Sequence, residues 1–346
     1  MNKLLFIVET PFQLLSAMEA KYYFNNYESI LLIKYSPQRT HAQNNQQMKN
    51  ILYLTSWDNI EIVECAVSTR ISNYKLLFFM NTLQKKYGKF SKVFIGEYRS
   101  WVQKKYLEIL NPEEQYLLDD GNMTIELQKN YIPNNKKYVE SKSLISTVDN
   151  LFQNTVLCFF DTEKKKKELN LFTCFNLESY SSKQTIIKHS FAFSKQLIKD
   201  KILLKNTVYF FGSNISELGC ISEEYEFELL KKIINRYKSM NIEVIYLPHR
   251  RESQKKLKKI TKILGVELRI STYPAEIEFI MMDYIPEYIA SMISTTLISV
   301  PKIVDFKNVT SFQLDYNKIE PYYLIDIRNS YDYYKKKLEI VDLNEY

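Results

Sequence analysis

Glycine is scarce in this sequence, with six among 346 residues. That scarcity excludes loops that cradle phosphate through closely spaced glycines, and neither a Walker loop nor the G-x-G-x-x-G fingerprint occurs. Phosphate, if bound, has to be held another way. Cysteine is sparse as well. Cys65, Cys158, Cys174 and Cys220 are widely spaced, form no Cys-x-x-Cys pair and lie mostly in apolar runs, so they read as buried, reduced thiols rather than disulfides or zinc ligands. No metal-binding motif appears. No apolar run approaches the roughly 20 residues that span a bilayer, and the run at 4–8 is cut off by Glu9, Pro11 and Gln13, too short for a signal peptide. The expectation is a cytoplasmic protein whose membrane contact is at most peripheral.

A large charge excess is also missing. Forty-seven basic against 40 acidic residues leave +7, too mild and dispersed to argue for nucleic acid, though it suits an anionic nucleotide or an anionic lipid surface. The run Glu163-Lys-Lys-Lys-Lys167 reads as a solvated turn, or as a contact for the inner leaflet if it lies at a lipid-facing edge.

What is present is a globular chain, 45% apolar and 25% charged, long enough for two domains. Short apolar runs alternate with helical periodicity: strands are predicted at 4–8, 30–33, 60–63, 93–96 and 115–118, with helices after Thr10-Pro11 and at 43–54, 74–87 and 101–110. Thr10 and Pro11 match an N-cap and a first helical position. The pattern blurs between about 126 and 205, where His189 reads as structural. It resumes with strands at 208–211, 242–247, 266–270, 288–293 and 302–306, and a helix capped by Ser222. The fold class expected is α/β, two Rossmann-like doubly wound domains facing a central cleft: 1–155, a linker at 156–205, 206–325, and a C-terminal amphipathic helix in 326–346 that could cross back over the first domain.

Three motifs fall at predicted strand ends, where open α/β sheets bind ligands. Tyr246-Leu-Pro-His-Arg-Arg-Glu252 follows one strand; Pro248 stops its extension and presents His249, Arg250 and Arg251, a hydrogen-bond donor with two guanidiniums suited to phosphate. A solvated basic turn is the ordinary alternative. Asp119-Asp120-Gly121-Asn122 follows another, where Gly121 permits a sharp turn that points a carboxylate into a cleft; an Asx turn or helix cap would use the same residues. Ser294-Thr295-Thr296 offers hydroxyls and amides to an anion, or simply a helix cap, and Gly212-Ser213 forms a turn after the 208–211 strand.

Glu9-Thr-Pro-Phe-Gln-Leu-Leu15, Tyr246 to Glu252, Phe210-Phe-Gly212 with Ser222-Glu-Glu-Tyr225, and Ile293-Ser-Thr-Thr-Leu297 resemble segments of the bacterial lipooligosaccharide sialyltransferases of glycosyltransferase family 52. Asp119-Asp120-Gly121 is similar to the acidic-acidic-Gly motif shared with the bacterial polysialyltransferases. Arg250 departs from the pattern, standing where the family has a proline after the histidine. The resemblance implies a GT-B glycosyltransferase, with an acceptor-side first domain (Thr10, Pro11, Gln13, Gly121) and a second domain that binds the donor through Gly212, Ser213, Pro248, Arg250, Arg251, Ser294, Thr295 and Thr296. It implies CMP-sialic acid as donor, a glycan acceptor ending in galactose, inversion by direct displacement, and no cofactor or metal. Asp119 or Asp120 would be the base, or Glu217 or Glu223 if the base lies in the second domain; His249 would assist the departing phosphate, and Glu276 would hold the ribose. Relatives that dimerise suggest a homodimer through the aromatic tail. Competing readings keep the fold with another donor, such as another CMP-nonulosonate, CMP-Kdo or a UDP-hexose, or make the chain a non-catalytic glycan- or membrane-binding protein.

Overall fold

Apolar runs flanked by helices are buried on both faces when they become parallel strands, and 4–8 is such a run, with every residue at or below 1% exposure. The computed structural model describes residues 2–38, 41–65, 70–99, 101–133 and 167–343. The chain divides into two units, Met1–His189 and Ser190–Tyr346, each built on one parallel sheet. The first contains β1 (Lys3–Val8), β2 (Glu28–Tyr35), β3 (Asn59–Glu64), β4 (Lys92–Ile95), β5 (Glu114–Leu118), β6 (Leu169–Thr173) and β7 (Ile186–Lys188), in the order β3-β2-β1-β4-β5-β6-β7. Leu5 lies opposite Ile30 on one side and Val93 on the other. The order reverses between β1 and β4. In a doubly wound sheet that switch point opens a crevice at the strands' carboxyl ends.

The second unit repeats the plan with β8 (Ile202–Phe211), β9 (Glu243–Leu247), β10 (Glu267–Leu268), β11 (Tyr284–Ser291), β12 (Asn308–Phe312) and β13 (Glu339–Val341), in the order β10-β9-β8-β11-β12-β13. Its reversal lies between β8 and β11, which pair along most of their length. The doubly wound α/β class expected from the alternating pattern is therefore present twice.

Local chemistry starts the helices. Thr10 is extended (φ −133°, ψ 155°) and its hydroxyl accepts the Gln13 N–H at 3.2 Å, with Pro11 in the first turn of the helix Pro11–Tyr23. Ser222 likewise accepts the Tyr225 N–H at 3.1 Å ahead of Glu223–Ser239, which carries Glu223, Glu224 and Glu226 in its first turn and Arg236 and Lys238 in its last. Aromatic stacking ties the strands beneath: Phe6 on Phe94 (4.6 Å) and Phe94 on Tyr116 (4.9 Å) step across β1, β4 and β5.

Three expectations need correction. Part of the stretch read as a linker, 169–188, supplies β6 and β7 of the first sheet; β6 is buried along its whole length, but its Asn170 and Thr173 and the adjoining lysine run hid it as a strand. Instead of a strand at 302–306 the chain makes a short helical turn, Val300–Lys302, and the strand is β12, whose Asn308, Thr310 and Ser311 weaken its apolar pattern. The C-terminal helix is Pro321–Tyr334 and packs on the second sheet itself: the Tyr331 hydroxyl, fully buried, lies 3.1 Å from the Met292 carbonyl and 3.2 Å from that of Phe312, and accepts the Leu314 N–H at 3.1 Å. Residues 335–343, expected within that helical segment, turn instead into β13, which closes the sheet beside β12. Cys174 and Cys220 are buried and in no disulfide among the described residues, and burial pushes the Cys220 thiol up to about 11; Cys65 is half-buried and Cys158 lies outside the described residues, as does most of the lysine run. Among the described residues no helix is long and apolar enough to cross a membrane.

Tyr331→Phe removes one hydroxyl that serves three buried backbone groups. Equilibrium urea unfolding should show a loss of about 1–3 kcal/mol, and an unchanged midpoint would refute this account of the tail.

Candidate functional site

Pro248 ends β9, and the chain turns through His249, Arg250 and Arg251 before the helix Gln254–Lys259. The turn is pinned from inside by Glu252. Its Oε2 accepts the His249 N–H at 2.5 Å, its Oε1 accepts the Tyr246 hydroxyl at 2.7 Å, and its own N–H returns to the His249 carbonyl at 2.9 Å. The His249 Nδ1 accepts the Arg251 N–H at 3.2 Å, which leaves the ring proton on Nε2. Burial, then the charges of Arg250, Arg251 and Lys256, push the imidazole down to about 3. It is a neutral ring with one N–H to give.

Beneath this turn lies a buried ion cluster. Lys256 Nζ is 2.7 Å from Glu226, 2.9 Å from Glu252 and 3.3 Å from Glu217, and donates to the Ser213 carbonyl at 2.9 Å. Burial raises Glu226 and Glu252 against the pull of Lys256; burial would lower Lys256, but its carboxylates overcome that and raise it. Gly212 is required here by close approach: a Cβ would stand 2.2 Å from Glu252 Oε2 and 2.5 Å from the Tyr246 hydroxyl. Glu217, an alternative base in the sequence reading, is engaged on both oxygens, by the Ser253 N–H at 2.9 Å and by Lys256. Glu223 sits in the first turn of its helix and pairs loosely with Lys255 and Lys259.

At the β8/β11 switch point the Ser291 hydroxyl donates to the Phe211 carbonyl at 2.8 Å, fixing the two strand ends that carry Gly212-Ser213 and Ser294-Thr295-Thr296. These last three are half-buried, and the Ser294 hydroxyl accepts the Thr296 N–H at 3.3 Å. Glu276 is buried behind them, with Oε1 accepting the Ser299 hydroxyl; burial raises its pKa, and the nearby Arg250 charge opposes this.

The two aspartates of the first unit separate. Asp119 is 0% exposed: Oδ1 accepts the Thr173 hydroxyl at 2.5 Å, Oδ2 accepts the Cys174 N–H at 2.6 Å, and His189 Nε2 lies 3.4 Å away. It is an anchor joining the carboxyl ends of β5, β6 and β7 rather than an exposed carboxylate. His189 stacks on Phe172 at 4.8 Å, the structural role expected of it. Asp120 is half-buried and accepts the Thr10 hydroxyl at 3.1 Å, and Gly121 turns beside it at φ +71°. Gln13, expected on the acceptor side, is 1% exposed and holds backbone instead, accepting from the Glu9 N–H at 2.8 Å and donating to the Gly96 carbonyl at 3.1 Å; Pro11 is buried with it. Asp119, Cys174 and His189 each place one ligand-type atom within 4.8 Å of the others, but both Asp119 oxygens already accept hydrogen bonds.

The sequence reading gave no role to Glu252, Lys256, Glu226 or Glu9. For the first pair the i, i+4 spacing was a usable signal; Glu226 joins them only through the fold.

The His249 shift carries a sign. Above pH 6.5 the ring is neutral in both folded and unfolded chains, and as pH falls the unfolded chain takes up a proton that the folded one refuses until about 3. Stability is lost across that window. Urea unfolding at pH 7 and near pH 4.5 should show a smaller loss in His249→Gln than in the parent, and equal losses would disprove the depressed basicity of the half-buried ring.

Solved structures of similar fold include Staphylococcus aureus MnaA with UDP (10% identity, TM-score 0.53, covering 97% of this chain and 88% of that one). They also include the Neisseria meningitidis UDP-GlcNAc 2-epimerase bound to UDP-GlcNAc (11%, 0.51, 98% and 95%) and Arabidopsis thaliana UGT89C1 complexed with UDP (9%, 0.52, 99% and 85%). At such identities the likeness shows the fold alone, which is the two-domain GT-B type. No curated protein matches the sequence. The family described as alpha-2,8-polysialyltransferase (POLYST) matches residues 4–313, nearly the whole chain. The chain belongs to that family, a bacterial sialyltransferase family that was one of the two groups its motifs resemble.

Proposed function

We propose that this protein is an inverting sialyltransferase that moves sialic acid from CMP-sialic acid to the terminal sugar of a bacterial surface glycan, such as lipooligosaccharide or capsule. The observation that carries the reading is the neutral His249, with its Nε2 proton and no partner for it among the described residues, beside two arginines one strand from the β8/β11 switch point. In the reaction the acceptor oxygen bonds to the anomeric carbon as the bond to CMP breaks, and the electron pair leaves on a phosphate oxygen. His249 donates a hydrogen bond to that oxygen, Arg250 and Arg251 balance its charge, and Ser294 to Thr296 hold the remaining oxygens. Asp120 takes the acceptor proton. It is preferred to Asp119, which is wholly buried where Asp120 is half-buried. A single phosphate faced by guanidiniums asks for no metal ion, so chelators should leave turnover unchanged. The similar structures that hold UDP make a UDP-hexose the competing donor.

The test uses CMP-sialic acid with a fluorescent lactoside and its sialylated form as acceptors, and follows CMP against UDP release across a donor panel. His249→Ala should lower kcat by about 10²–10³-fold, and His249→Gln, which still offers an N–H, should recover part of it. Asp120→Asn should lower kcat by about 10²–10⁴-fold with CMP binding retained. Near-normal turnover in His249→Ala, or release of UDP rather than CMP, would sink the proposal.

A further inference from the structure

The first sheet has its own switch point, between β1 and β4, and Glu9 stands at the carboxyl end of β1 there. Its side chain is 24% exposed. One oxygen is fixed from two sides: Oε1 accepts from Lys34 Nζ at 3.1 Å and from Gln103 Nε2 at 2.8 Å. Gln103 is 1% exposed and is itself located by the Glu97 N–H, which donates to its Oε1 at 3.1 Å from the end of β4. Asn44 secures the backbone, donating from Nδ2 to the Glu9 carbonyl at 2.8 Å. The other oxygen, Oε2, has no partner among the described residues.

The surroundings are polar beyond what the protein itself satisfies. Asn44 Oδ1 and the Tyr106 hydroxyl are both buried without a hydrogen-bond partner among the described residues, and Tyr106 is close enough for the Glu9 charge, after burial, to help push its hydroxyl well above its ordinary range. Asp120 is linked to the same strand end through Thr10, the residue next to Glu9. A carboxylate held by an ion pair and a buried amide, with one oxygen left over at a switch point, is arranged to accept hydrogen bonds from a polyhydroxylated ligand.

We propose that Glu9 binds the acceptor sugar, its Oε2 accepting from a ring hydroxyl, with Lys34 and Gln103 as positioning residues. The inference rests on the reading of the chain as a glycosyltransferase whose first unit holds the acceptor. It assigns Glu9 to binding, and the proton transfer stays with Asp120.

Glu9→Gln and Glu9→Asp separate the possibilities, using full-length protein, CMP-sialic acid and whichever of the fluorescent lactoside or sialyl-lactoside the parent protein accepts. The acceptor KM should rise about tenfold or more in Glu9→Gln, the loss of a hydrogen bond to a charged group, and less in Glu9→Asp, while CMP affinity and melting temperature stay near the parent's. An acceptor KM within about twofold of the parent's in a folded variant, or failure of both variants to fold, overturns the inference. A parent protein that neither binds CMP nor releases it from CMP-sialic acid overturns instead the transferase reading beneath it.

Discussion

One buried ammonium organises the second unit. Lys256 draws carboxylates from three places, Glu217 after β8, Glu226 on the Glu223–Ser239 helix and Glu252 in the turn after β9, and binds the Ser213 carbonyl as well. Charges taken out of water are tolerable only when paired and hydrogen-bonded, and removing one member of such a set costs about 3–5 kcal/mol because the others are stranded. The arrangement therefore fixes geometry more than it adds stability. Through Glu252 it fixes the amide of His249, and through Ser213 it fixes the end of β8, so two strand ends at the sheet's carboxyl edge share one electrostatic support.

The first unit reaches a similar end without an ammonium at its centre. Asp119 gathers a hydroxyl, an amide and an imidazole from β6 and β7, and Gln13 ties the end of β1 to that of β4. Gly96 makes the second tie possible, since a Cβ there would stand 2.0 Å from Gln13 Cδ. In both sheets a glycine at a strand's end lets a polar side chain lie against backbone, and the half-buried groups beside it, Asp120 and Glu9 in one case and His249 in the other, sit on a braced frame.

Much of this is legible in the sequence. Apolar runs as short as 4–8, followed by Thr10-Pro11, fix a strand and a helix start by local chemistry, and the same logic found Ser222 and the strand before Pro248. Strands with polar residues are harder to read: β6 and β12 bury Asn170, Thr173, Thr310 and Ser311 in backbone or side-chain contacts that a hydropathy pattern cannot represent, and β7 is only three residues long. At the site, residue types and strand-end placement pointed to His249 and the aspartate pair, but which aspartate is buried depends on Thr173 and Cys174, more than 50 positions away. Gln13 looked like a ligand-binding amide for the same reason: its partners, the Glu9 N–H and the Gly96 carbonyl, are backbone, and backbone positions are set by the fold.

The depressed basicity of His249 reaches beyond its own bond. Because the ring gains no charge until pH is near 3, the positive potential around the turn comes from guanidiniums, which do not titrate. The pull this turn exerts on anions is then dulled by dissolved salt and gains nothing from the imidazole on mild acidification.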